Sequence, residues 1–176
     1  YPFVEKTTLK VKQSFEVIDH YYYAQDVWSY KISSKVSVKY LLTTASSPVK
    51  SSPAATSLIF RVENRMGSPA NERLKIGTGV SAEVLYDKKE FNMSFQLMYY
   101  FTDNDCFAYL YPYERPLYKW SFMPTALHGN GFLSLFTFVK DFKDNFTSGA
   151  KIKYNLDFSN GLNHKATIYV ISEYSF

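Results

Sequence analysis

The chain is short of the usual covalent and conformational stops. It has one cysteine, Cys106, in 176 residues. No internal disulfide can form, so packing and hydrogen bonds must hold the fold. In "DCFAYL" Cys106 sits among apolar neighbours and reads as a buried, inert thiol. A reactive thiol, or a bridge to a second copy and hence a homo-oligomer, is the alternative. No run of 18 or more apolar residues occurs, which excludes a transmembrane helix. A basic segment followed by an apolar one is also missing from "YPFVEKTTLK", so the start reads as that of a processed or trimmed chain. Charge of one sign is scarce: 20 basic against 16 acidic residues leave a net charge of +4. That is too mild, and too scattered, for a nucleic-acid partner.

Catalytic and metal-binding patterns are likewise absent. His20, His128 and His164 lie far apart and outside any ligand motif, so no metal site is expected. Asp103 and Asp105 in "TDND" resemble a piece of a calcium loop, but the glycine and terminal glutamate are missing, and a solvated turn is the reading. There is no G-x-S-x-G elbow, and "GTG" (Gly77 to Gly79) is too short for a phosphate loop. It reads as a tight lead into a strand at Val80. No catalytic constellation and no cofactor are expected.

What the chain has in abundance is rings: 16 Tyr and 15 Phe, with 19% aromatic residues. It also alternates. In "TLKVKQSFEVI" Leu9, Val11, Phe15 and Val17 share one face against Lys10, Lys12, Ser14 and Glu16. In "YKISSKVSVKYLL" Tyr30, Ile32, Val36, Val38 and Tyr40 oppose Lys31, Ser33, Lys35, Ser37 and Lys39. In "KIKYNLDF" Ile152, Tyr154, Leu156 and Phe158 oppose Lys151, Lys153, Asn155 and Asp157. Residues two apart share a face of a strand, so these are half-buried antiparallel strands. Further runs cover 57–63, 80–86, 91–101, 107–113, 132–140 and 165–174, with turn-rich pieces such as "SSPVKSSPAA" between them. No window reads as a long amphipathic helix. The length fits one domain over residues 1–176, able to bury roughly 70% of its unfolded surface. The expected architecture is an all-β antiparallel β-sandwich of about nine to ten strands. A closed barrel is the alternative.

The densest ring cluster is "MYYFTDNDCFAYLYPYERPLYKW" (Met98 to Trp120). Tyrosine is apolar over its ring and polar at its tip, and so suits protein interfaces and lipid headgroup layers. Pro112 and Pro116 limit the second half's part in a sheet. This places Tyr111, Tyr113, Tyr118 and Trp120 near a surface, with Arg115 and Lys119 available to phosphate. Tyr99, Tyr100, Phe101 and Phe107 continue a strand and read as packing. The expected binding set is therefore Tyr111, Tyr113, Arg115, Tyr118 and Trp120. Two sequons, at Asn92 and Asn145, point to a secreted glycoprotein.

Three stretches resemble the actinoporin-like pore-forming cytolysins: "TGVSAEVLYDKKEFNMSFQLMYYF", "YYFTDNDCFAYLYPY" and "NGLNHKATIYVISEYS". The first is similar to that family's apolar strand pair, the second stands where the family has its tyrosine-rich phosphocholine segment, and the third resembles its last strand. The resemblance implies a compact β-sandwich with an aromatic headgroup-binding face. The functional expectation is a secreted protein that binds a phospholipid membrane surface and acts as a pore-forming toxin. The alternative is a secreted glycan- or protein-binding module that uses the same rings without a membrane.

Overall fold

The computed structural model describes residues 3–22, 25–43, 54–69, 73–88, 91–103, 108–114, 125–142, 146–159 and 161–174. They form eight β-strands and no helix: β1 (Phe3–Tyr22), β2 (Gln25–Thr43), β3 (Ala55–Pro69), β4 (Lys75–Lys88), β5 (Phe91–Thr102), β6 (Asn130–Asp141), β7 (Phe146–Asp157) and β8 (Asn163–Tyr174). The strands pair in one sheet, in sequence order, each antiparallel to the next. Alternating segments adjacent in sequence pair as successive hairpins, because neighbours find each other at the least loop-closure cost, and even the long connection from β5 to β6 adds little to that cost. The one register shift lies between Val4 and Lys6 on β1.

The all-β antiparallel expectation holds. The finer expectation of two packed sheets and nine to ten strands does not match the described residues, which form one open sheet of eight. One reason is local. The run expected as a strand over 107–113 has, in its described part, a single bridge, Leu110 to Leu127. Pro112 has no N–H to extend a ladder there. The described pieces between β5 and β6, 108–114 and 125–129, instead lie against one face of the sheet as a strap. The second reason is that alternation marks two faces without saying which one is covered.

The register resolves the two faces. On the side away from the strap lie Leu9 and Val11 of β1, Val36 and Val38 of β2, Phe60 and Val62 of β3, Val80 and Val84 of β4, Phe95 and Leu97 of β5, Phe132 and Phe136 of β6, Ile152 and Tyr154 of β7, and Ile168 and Val170 of β8. On the strap side lie Lys10, Lys35, Arg61, Glu83, Gln96, Thr137, Lys151 and Lys165.

Candidate functional site

Burial runs opposite to the water-soluble rule. On β5, Phe95, Leu97, Tyr99 and Phe101 are 43–50% exposed, while Ser94 and Gln96 between them are about a tenth as exposed, at 6% and 4%. Glu63, Glu83, Lys151 and Lys153 are buried, whereas Phe60, Val62, Val80, Val84 and Ile168 are exposed. A soluble sheet hides its apolar face. Here each half-exposed apolar side chain leaves on the order of 80 Å² open. Summed over the outer face this is on the order of 1,500 Å², well beyond the few hundred Å² of an ordinary apolar surface patch.

The outer face is also nearly free of formal charge. Over β3–β8 its charged described members are Lys88 and Lys140, and both pair with Phe91 at one end of the sheet; on β1 and β2 the register adds Asp19 and Asp26 near the ends that meet each other. Lys88 lies over the Phe91 ring at 5.9 Å, and Lys140 over Phe142 at 4.7 Å. Rings cluster at the same end: Tyr86 stacks on Phe91 at 5.4 Å, Phe91 meets Phe138 at 6.3 Å, and Phe142 meets Phe146 at 5.4 Å. A second cluster lies toward the other end, with Tyr99 5.1 Å from Phe132 and Phe132 6.0 Å from Phe158. Phe91 and Phe101 stand ten residues apart on β5, roughly 34 Å along the strand. A tilt of about 40° would reduce that to about 26 Å in height, against a lipid-facing band of about 25 Å in membrane barrels.

The inner face holds the strap. The strap residues Tyr113 and Glu114 are neighbours in sequence, yet Tyr113 meets Arg61 of β3 and Glu114 meets Lys153 of β7. In a flat sheet those strands would lie roughly 19 Å apart, so the strap bridges the inner face from β3 to β7. Glu114 is the clasp on one side, with Lys153 Nζ at 2.6 Å and Lys151 Nζ at 3.5 Å. The Thr125 hydroxyl also accepts from Lys153. Arg65 is the clasp on the other side: its Nη1 donates to the Tyr109 carbonyl at 2.9 Å, and its guanidinium lies 4.8 Å from the centre of the Tyr111 ring. Leu110 and Leu127 exchange backbone hydrogen bonds of 3.1 and 2.8 Å. Their side chains complete a core with Met98 and Tyr100 of β5 and Leu133 and Leu135 of β6. The Tyr100 hydroxyl donates to Asn155 Oδ1 at 2.9 Å.

Gly77 and Gly79 are part of this seat. They do not form a tight lead into a strand at Val80, because both already belong to β4. A Cβ on Gly77 would run into the Ala108 carbonyl of the strap, and one on Gly79 into Met98 and Leu110. Gly79 thus makes room for the leucine core, and Gly77 for the strap backbone.

Of the expected binding residues, Tyr111 and Tyr113 are described, and both face the strap side's arginines. Tyr111 is half-buried and Tyr113 is exposed, with the Arg61 guanidinium 5.1 Å from its ring centre. Arg115, Tyr118 and Trp120 lie outside the described residues, as do Asn145 and Cys106. Asn92 is exposed near the β4–β5 turn, on the strap side of β5. Tyr99 and Phe101, read as packing, turn outward. Asp103 is a hinge for the strap: its Oδ2 accepts from the Ile76 amide at 2.8 Å, and its own amide donates to the Ile76 carbonyl at 2.9 Å. Reading the sequence missed Glu114, Lys151 and Lys153. Two lysines on one face of a single strand, facing a lone glutamate elsewhere, were the signal available.

Among the described residues no helix is long and apolar enough to cross a membrane, which says nothing about crossing by strands. No family model, curated protein or solved structure matches the chain.

Proposed function

We propose that this chain forms the wall of a membrane-spanning β-barrel, with its outer face against lipid and the strap narrowing the interior. The carrying observation is the inverted burial on β5, where exposed Phe95, Leu97 and Tyr99 alternate with buried Ser94 and Gln96. In hydrocarbon the exposed face is the stable one, since apolar rings and aliphatic chains need no partner there. Tyr86 and Tyr99 in the two end clusters suit the headgroup layers, where an amphipathic ring is wet at one side and dry at the other, and the phenylalanines beside them extend the apolar band. Lys88 and Lys140 suit the same layer, with their stems in the apolar band and their ammonium groups in water.

Lipid also demands that every backbone N–H and C=O be paired. The described pairings leave β1 and β8 as the two edges. In a bilayer these edges close on each other or on further strands. The lipid contact first expected of Tyr111 and Tyr113 passes, in this reading, to the strand faces. Tyr111 and Tyr113 then help to seat the strap on Arg65 and Arg61.

The experiment is vesicle flotation with refolded protein and phosphatidylcholine liposomes, followed by a carbonate wash. A membrane-spanning wall floats with the vesicles and resists carbonate. A protein held only at the headgroups floats and is stripped by the wash, and a soluble glycan-binding module stays at the bottom of the gradient. Either of the last two results refutes the proposal.

A further inference from the structure

The inner face of β1–β3 carries a charge arrangement that meets the strap at Arg61, through the Tyr113 ring. We propose that it is a binding site for a small polyanion of the polyphosphate class, centred on Ser37. Ser37 of β2 pairs with Lys10 on β1 and with Arg61 on β3. Lys35 and Lys39 flank it two residues away on its own strand, on the same face. Lys12 sits opposite Lys35. At strand spacing, the neighbouring backbones stand about 5–7 Å from Ser37. Five cations thus ring one hydroxyl, and that hydroxyl has no hydrogen-bond partner among the described residues.

The carboxylates do not balance them. Glu63 takes Lys35 at 2.7 Å and Glu83 takes Arg61 at 2.6 Å. Lys10, Lys12 and Lys39 have no carboxylate partner among the described residues. Like charges placed directly opposite one another, as Lys12 and Lys35 are, destabilise a strand pair. Arg61 Nη1 is buried without a hydrogen-bond partner, a second cost that an acceptor would remove. Ser37 and its five cations, with Glu63 beside them, line a cleft of about 420 Å³ roofed by Pro112 and Tyr113 of the strap. That volume lies within the range of small-molecule sites. Ammonium groups bind phosphate oxygens as point charges, and the Arg61 guanidinium adds directed donors. One phosphate would meet only part of the ring, whereas a chain of phosphates can meet Lys10, Lys39 and Arg61 together.

The site needs the polar inner face and not the lipid contact, so it can be tested in micelles. The full chain, refolded in a zwitterionic detergent at low salt, is titrated calorimetrically with inorganic tripolyphosphate. Circular dichroism checks that each variant keeps its sheet. The wild type shows one saturable site that weakens as salt rises. Lys10→Gln with Lys39→Gln weakens it about a hundredfold, at about tenfold for each charged hydrogen bond lost. Ser37→Glu, which sets a carboxylate at the centre of the ring, abolishes binding. Lys165→Gln, on the same face of distant β8, leaves it unchanged. Absence of saturable binding to a folded wild type overturns the proposal. So does wild-type affinity in the double lysine variant or in Ser37→Glu, or an equal loss in Lys165→Gln. A chain that resists carbonate but does not bind tripolyphosphate refutes this site alone. Binding in micelles by a chain that fails flotation refutes the membrane wall alone.

Discussion

Replacing Glu114 by glutamine should release the strap without unfolding the sheet. Among the described residues Glu114 is the carboxylate that faces both Lys151 and Lys153, whose side chains are each 7% exposed. The substitution keeps shape and removes charge. It leaves two like charges, roughly 7 Å apart along β7, in a site closed by the strap. Breaking a buried ion pair by removing one partner costs about 3–5 kcal/mol. The clasp is not wholly dry, so the lower end applies, about 3 kcal/mol. That corresponds to a factor on the order of 150 in the strap's opening equilibrium. The Leu110 and Leu127 amides report it, because each donates to the other's carbonyl across the strap. In hydrogen exchange of the micelle-bound chain, both amides should exchange about a hundredfold faster in Glu114→Gln. Amides in the β3–β4 ladder, such as those of Val62 and Val80, should keep their rates. Adding Lys151→Met and Lys153→Met should restore most of the protection, since the stranded charges are then gone. Leu110 and Leu127 rates within about threefold of wild type would refute the clasp.

Two further predictions use the two faces separately. Gly79→Val drives side-chain atoms into Met98 and Leu110 and should cost about 1–3 kcal/mol of strap protection. Ala82→Val on the outer face of the same strand should change it little, as protease sensitivity of the strap would report. Leu97→Arg puts a guanidinium in the middle of the outer band and should destabilise the lipid-bound fold by about 2–4 kcal/mol in urea titrations from vesicles. Gln96→Arg, one residue away on the polar face, should leave membrane insertion intact. Equal effects of the two arginines would contradict the facing.

Strand positions were largely legible in the sequence, because a period of two survives whatever covers each face. Leu9, Val11 and Phe15 fall on one side of β1, and Ile152 and Tyr154 on one side of β7, as the alternation required. Which side meets the protein interior was not legible. Val38 opposite Lys39 reads the same whether the valine meets a second sheet or lipid. The clue lay in the absence of charge from the apolar set over successive strands, with rings concentrated toward its ends. Pro112 argued against the strand that the apolar run suggested over 107–113, and there the proline was the better guide to Tyr111 and Tyr113. Their arginine partners, Arg65 and Arg61, lie on β3, which only the tertiary fold brings under the strap. The clasp was hidden for the same reason: Lys151 and Lys153 read as a solvated strand face until Glu114 is placed over them. The ring around Ser37 depends on the registers of β1 with β2 and of β2 with β3, which no single segment displays.

A nitroxide scan along β5 tests the membrane wall most directly. Single cysteines at 93–101, in a Cys106→Ser background, are labelled and the protein is reconstituted in phosphatidylcholine. Collisions with oxygen, which concentrates in lipid, are compared with collisions with a water-soluble nickel chelate. The account predicts a period of two, with labels at Phe95, Leu97 and Tyr99 open to oxygen and closed to the chelate, and labels at Ser94 and Gln96 showing no such lipid signature. Chelate access at Leu97 equal to that at a water-exposed site such as Asn92 would contradict it.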